Sequence, residues 1–347
     1  DTVQGELEWS EIETVSERMV TLINDFFKSE MEINDKLVFI GEDVLSPYGG
    51  AFKVAKDLSS KFPNRVFTTP ISEAAIVGIS NGLALEGFKP FVEIMFGDFT
   101  TLAMDQILNH ASKFYHMYNK QVFCPIVIRT PMGGGRGYGP THSQTLDKFL
   151  IGIDNVTTIA LNILINPANI LKAIVREKHP VILIENKLDY GKTIAKNKIK
   201  NFKYSMTVAD YPVVKISPTG ISPNFTLVSY GGNVNTVLDA IETLFYEFEL
   251  LGEVIILSRI HPIAKADYEV IFKSVARTKN MIVVEEGSGF AGFCSEIISQ
   301  VAETIEEKVN VKRITSISVP IPSSIELEKK VLVSSNMIVN SIKNMLA

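Results

Sequence analysis

Short unbroken runs of β-branched and aromatic residues, separated by segments of helical period, constrain the fold of this chain more than any other feature. Leu37-Val38-Phe39-Ile40, Phe91-Val92-Glu93-Ile94-Met95, Ile126-Val127-Ile128-Arg129 and Val181-Ile182-Leu183-Ile184 follow one another in this way. Strands that are apolar on both faces belong to a parallel sheet covered by helices on both sides. Helices are expected over residues 15–29, opened by Thr14 and Glu17 as a capping box, and over 73–85 and 170–175. The pattern breaks at Lys192, Lys196, Lys198, Lys200 and Lys203, followed by Pro212, Pro218 and Pro223, which marks a domain boundary. Beyond it the alternation restarts. Strands are expected at 225–230, 254–257, 281–284 and 312–319, and helices at 234–251, 266–276 and 293–305. The expected fold class is α/β with two doubly wound domains, over residues 16–205 and 223–347, joined by a linker at 206–222.

The bulk properties narrow the functional classes. The chain has 347 residues, enough for two cores, and is 46% hydrophobic and 21% charged, as globular chains are. A net charge of −5 without a basic stripe argues against nucleic acid. No run has the length and apolarity of a membrane span. Cys124 and Cys294 lie far apart without metal-type spacing and read as core residues, so no metal ligands are assigned. Residues 1–15 carry Asp1, Glu6, Glu8, Glu11 and Glu13 and no basic residue, and are expected to be a solvated acidic leader or linker. No signal peptide is visible and the first residue is not Met, so a fragment or processed product is expected.

Four places could carry chemistry. The stretch Gly133-Gly134-Gly135-Arg136-Gly137-Tyr138-Gly139-Pro140-Thr141-His142-Ser143-Gln144 is either a loop delivering His142 to a reacting centre or a long surface turn. Glu73 follows Pro70-Ile71-Ser72 and opens a helix that is apolar nearly all round, hence expected to be buried. Ala75, Gly78 and Gly82 lie near one face of it, where another helix could approach closely. Glu73 is either a first-turn acid favoured by the helix dipole or a desolvated carboxylate sharing a proton with a ligand nitrogen. Phe96-Gly97-Asp98-Phe99 follows a strand at the end where parallel sheets bind ligands. Its aromatics either stack on a flat heterocycle or belong to the core. Gly287-Ser288-Gly289-Phe290-Ala291-Gly292 matches the dinucleotide fingerprint, with Glu306 or Glu307 near the ribose distance. It follows the third strand of the second domain instead of opening the first βαβ unit, which weighs against nicotinamide. His261 reads as a capping or interface residue. Glu93 is either buried and hydrogen-bonded or faces solvent.

Further motifs recur in one order: Gly41-Glu42-Asp43-Val44, Tyr48-Gly49-Gly50-Ala51-Phe52, Arg65 to Ala74, Gly82-Leu83-Ala84-Leu85-Glu86-Gly87, Asp98-Phe99, Asp105-Gln106-Ile107, His142-Ser143-Gln144 and Pro180-Val181. From about Ser16 to the C-terminus the chain resembles the beta subunit of the decarboxylating component of 2-oxo acid dehydrogenase complexes, which include the pyruvate and branched-chain enzymes. The resemblance implies a transketolase-like pyrimidine-binding domain followed by a smaller transketolase C-terminal domain. It implies thiamine diphosphate, with Mg²⁺ held mainly by an alpha-type partner whose site is marked by Gly-Asp-Gly. That tripeptide is absent from this sequence. The implied partners are an alpha-type subunit or a fused alpha half, a second beta chain, a lipoyl-bearing acyltransferase and a small 2-oxo acid.

By the same resemblance, Glu73 is the activating catalytic glutamate on the aminopyrimidine ring nitrogen. Phe99 packs on the pyrimidine, Met95 is a neighbouring cofactor contact, and His142 is the catalytic histidine of the substrate channel. The implied reaction is oxidative decarboxylation with acyl transfer to a lipoyl group, in the cytoplasm or an organelle matrix. Gly139-Pro140-Thr141-His142 is also similar to transketolase and deoxyxylulose-phosphate synthase loops, so a non-oxidative transketolase-type reaction stays open, as does a non-catalytic assembly role. Glu177 and His179 stand where Asp and Asn occur in some potassium-binding relatives, so that ion is not assigned.

Overall fold

The computed structural model describes residues 7–347, and two seven-stranded sheets organise them. The first runs, in spatial order, Arg259–His261, Thr157–Ala160, Val181–Asn186, Val127–Met132, Lys89–Glu93, Leu37–Gly41, Val66–Thr68. All its neighbours pair in parallel except the Arg259–His261 edge. Every residue of its four central strands is buried, as uninterrupted apolar runs require. The second sheet runs Trp9–Glu11, Phe202–Thr207, Val214–Pro218, Gly252–Leu257, Phe225–Tyr230, Asn280–Ser288, Asn310–Ser316. Its last four strands are parallel and its first three are added antiparallel.

The two halves exchange edges. Arg259–His261, from the C-terminal half, pairs with Thr157–Ala160 of the first sheet. Trp9–Glu11, from the N-terminal end, closes the second. His261 therefore sits in an interface strand.

Three expectations need correction. The part of the supposed leader that is described, from residue 7, is not a solvated linker: Trp9–Glu11 is a paired strand, and the Lys215 ammonium lies 4.2 Å from the centre of the Trp9 ring. Residues 1–6 lie outside the described residues. The supposed linker at 206–222 contains Val214–Pro218, which fills the second sheet between Phe202–Thr207 and Gly252–Leu257. The first helix is Met19–Ile33, not 15–29. Val15–Arg18 is extended against Thr193–Ile194, and the Thr14 hydroxyl donates to the Ala195 carbonyl instead of capping. The open amides of the helix start are satisfied by main chain: Met19 N donates to Lys192 O at 2.8 Å and Val20 N to Tyr190 O at 3.1 Å. Past the last expected strand, helix Ser335–Leu346, capped by the Ser334 hydroxyl, buries Ile338, Val339 and Ile342.

Candidate active site

The carboxyl ends of three adjacent strands converge. Leu37–Gly41 leads into Glu42, Lys89–Glu93 into Met95, Phe96, Asp98 and Phe99, and Val127–Met132 into the glycine-rich loop. Parallel α/β sheets bind ligands at this end. Helix Glu73–Leu85 points its N-terminus into the same region, with Glu73 only 5% exposed in its first turn. The helix is not buried all round, as its apolarity suggested. Ala74, Ala75 and Gly82 are exposed, as are Ile71 (84%) and Ile79 (54%), while Ile76, Val77, Ser80 and Ala84 face the core. A Cβ on Gly78 would lie 3.1 Å from Gln106 Oε1, so the helical segment Gln106–Ala111 covers that part of the expected face, while a side chain added at Gly82 would meet nothing within 4 Å among the described residues and leaves the face open at Ala75 and Gly82.

The acidic floor is built on one arginine. Arg129, fully buried, pairs with Glu93 and with both oxygens of Glu185, the Nε–Oε1 bond being 3.0 Å. The Tyr190 hydroxyl also donates to Glu185. Burial pushes the Glu93 carboxyl up, and the Arg129 charge only partly offsets it. Glu93 is thus the buried, hydrogen-bonded alternative. It explains part of the Tyr48–Phe52 motif. Gly50 has φ +80°, and a Cβ there would lie 2.6 Å from Glu93 Oε1. Phe52 then packs on the Tyr190 and Phe96 rings at 5.2 and 5.7 Å. Glu42 is buried beside this floor. Its Oε1 has no hydrogen-bond partner, and burial, followed by the charge of neighbouring Glu73, raises its pKa.

A second group is aromatic. The His142 ring meets Phe96 at 4.9 Å and Phe99 at 5.1 Å, both edge-on. Met95, Phe96, Phe99 and His142 are half-buried. His142 Nδ1 lies 2.9 Å from the Thr141 hydroxyl, and the Lys187 ammonium donates to the His142 carbonyl at 2.9 Å. Burial lowers Lys187 to about 8, although Glu286 and Asp98 pull the other way. Asp98 Oδ1 accepts from Gln144 Nε2 at 2.8 Å, while its Oδ2 is buried without a partner. Phe99 and His142 therefore touch. Glu73 belongs to the acidic side with Glu42, and Met95 precedes the aromatic wall. Sequence reasoning missed Glu42, Glu185 and Lys187 as site residues; the signal they share is a charged group at the carboxyl end of a wholly apolar strand.

The dinucleotide alternative fails on geometry. In helix Phe293–Thr304, Cys294 N donates to Glu285 Oε2 at 2.8 Å, and a Cβ on Gly292 would lie 2.3 Å from Glu285 Oε1. The seat a pyrophosphate would take at a helix N-terminus is filled by the protein's own carboxylate. Glu307 is engaged with Lys279 at 3.1 Å.

Residues 17–193 match the transketolase pyrimidine-binding domain and residues 219–338 the transketolase C-terminal domain. The chain is 34% identical to the mitochondrial pyruvate dehydrogenase E1 component subunit beta-1 of Arabidopsis thaliana, over 92% of this chain and 87% of that one. It is 32% identical to the pyruvate dehydrogenase E1 component subunit beta of Rickettsia bellii, over 92% and 96%. The chain belongs to this E1 beta family. The E1 beta chain also shares its two-domain fold with a solved split-gene transketolase described as an inactive beta4 tetramer, at TM-score 0.72 over 94% of this chain and 98% of that one, with 18% identity.

Membership implies thiamine diphosphate, and the residues present fit its pyrimidine end. A buried carboxylate stands at a helix mouth, Glu42 Oε1 and Asp98 Oδ2 lack partners, and half-buried rings form a wall. Among the described residues, no helix is long and apolar enough to cross a membrane.

Proposed function

We propose that this E1 beta-type chain is the pyrimidine-holding half of a thiamine diphosphate-dependent 2-oxo acid dehydrogenase, working with an alpha-type partner. When bound, thiamine diphosphate supplies the electron sink for loss of carbon dioxide from a 2-oxo acid. Glu73 is the catalytic acid that holds a proton at the aminopyrimidine ring nitrogen. Its burial at a helix mouth keeps water from competing for that proton. Glu42, buried beside it, has its own carboxyl pushed up by burial and then by the Glu73 charge. Phe99 and Met95 wall the ring, and His142 faces the substrate, where it binds the carboxylate region or assists acyl transfer to a lipoyl group. The alpha-type chain, in the same polypeptide or separate, supplies the diphosphate and Mg²⁺ site, in the cytoplasm or an organelle matrix. The open face at Ala75, Ile79 and Gly82 suits such a partner.

The observation that carries the reading is the buried Glu73 opening a helix beside buried Glu42, at the end of the sheet from which the rings around His142 also rise. The test is turnover of the assembly formed with the alpha-type chain, with 2-oxo acids and an artificial electron acceptor against ketose donors. Turnover of 2-oxo acids that is lost in Glu73→Ala is expected. Turnover of ketoses alone contradicts the oxidative reaction, and unchanged turnover in Glu73→Ala makes this an assembly subunit.

A further inference from the structure

We propose that Glu328, a carboxylate of the C-terminal domain, is a positioning residue that sets the conformation of the loop carrying His142. The loop leaves Val127–Met132 with Gly133, Gly135, Gly137 and Gly139 at φ +91°, +88°, +68° and +79°. Left-handed residues alternating with others turn successive amides to one side and make a concavity that binds an anion. The anion here belongs to the protein. Gly135 N donates to Glu328 Oε1 and Gly137 N to Glu328 Oε2, both at 2.8 Å. Gly134 N donates to Glu286 Oε1 at 3.0 Å. Glu328 is 1% exposed, on helix Ile325–Val331.

The same contacts account for glycines that a mobile turn would not need. A Cβ on Gly134 would lie 2.6 Å from Leu332 Cδ1 and 2.9 Å from Glu328 Oε1, and one on Gly139 would lie 2.5 Å from Ser323 Oγ. The loop is moulded onto residues 323–332. At its far end Lys187 donates to the His142 carbonyl, and Arg136 donates to the Lys187 carbonyl at 2.8 Å. An acid from one domain and a base from the other thus fix both ends of the segment that presents the histidine. Both oxygens of Glu328 are engaged by charge-assisted bonds, which hold a backbone more firmly than neutral ones.

The inference rests on the proposed role of His142, so its test separates the two. The full chain is prepared as wild type, Glu328→Gln, Glu328→Ala and the exposed control Leu327→Ala. Hydrogen exchange is followed over residues 133–144, together with tryptic cleavage after Arg136. The same proteins are then assembled with the alpha-type chain and assayed with a 2-oxo acid, beside His142→Ala. A glutamine can accept only one of the two amide bonds and sets its own N–H groups against the other. Loop exchange in Glu328→Gln is expected to rise on the order of 100-fold, with a cooperative thermal unfolding transition retained. Cleavage at Arg136 appears, and kcat falls by about 10²-fold with KM little changed. Leu327→Ala leaves all of these as in wild type. A folded Glu328→Gln with unchanged exchange and protease resistance overturns the proposal. So does a loosened loop with unchanged kcat when His142→Ala lowers it. If His142→Ala leaves kcat unchanged, the role of His142 falls and the exchange result alone decides the role of Glu328.

Discussion

Replacing Arg129 by methionine tests the acidic floor. The guanidinium is fully buried and serves two buried carboxylates, Glu93 and Glu185, with Tyr190 Oη 3.3 Å away. Methionine fills similar length without charge. Removing one member of a buried ion pair costs about 3–5 kcal/mol, because the other charge stays buried. For a domain of this size that is a fall of roughly 6–20 °C in melting temperature. The pH dependence is more diagnostic than the size. Burial already raises Glu93 with Arg129 present; without that charge its carboxyl is raised further, and the folded state keeps it protonated at pH values where the unfolded chain has released the proton. The folded state then binds more protons, so stability falls as pH rises above the unfolded carboxyl value, by up to about 1.4 kcal/mol per pH unit. Thermal unfolding followed by circular dichroism between about pH 5 and pH 8 is expected to show a small gap from wild type at the acid end and the full gap at the alkaline end. Arg129→Lys, which keeps the charge but loses the fork, falls between. A gap that is equal at every pH, or no gap, refutes the argument that one cation compensates two buried acids.

Two further outcomes follow from the same geometry. Gly82→Arg, on the open part of the helix face where an added side chain meets nothing within 4 Å among the described residues, leaves the melting temperature of the isolated chain within about 2 °C of wild type but abolishes assembly with the alpha-type chain in sedimentation; intact assembly refutes that face as the contact. Glu285 is raised to about 7, chiefly by burial, so its fold stabilisation is present below the unfolded carboxyl value and is lost as pH rises through about 7. Glu285→Gln is therefore more stable than wild type above pH 7, measured by chemical denaturation, and the advantage disappears in acid. An advantage of equal size at both ends contradicts that titration.

The architecture was legible because burial on both faces leaves its mark in unbroken apolar runs. The central strands and helix Glu73–Leu85 fall where those runs and that period place them. The ends of domains were not legible. Trp9–Glu11 and Val214–Pro218 pair antiparallel at or near sheet edges, where polar residues are tolerated, so their local composition imitates linkers. The partial exposure of helix Glu73–Leu85 was hidden for the opposite reason, since an apolar face awaiting a partner reads like a core face. In the site, the loop and the Phe99 segment were visible from glycine and aromatic spacing. Arg129, Lys187, Glu286 and Glu328 were not, because each acts on a group at least 36 residues away in sequence, the shortest being the Arg129–Glu93 pair. No local pattern encodes such pairings.

The most direct measurement is the position of the Glu73 carboxylate in the assembly with the alpha-type chain and thiamine diphosphate, seen by crystallography or electron cryomicroscopy. The account predicts a carboxylate oxygen about 3 Å from a pyrimidine ring nitrogen, with Phe99 against the ring and the diphosphate on the other chain. A Glu73 side chain turned to solvent, with the cofactor seated elsewhere, contradicts it.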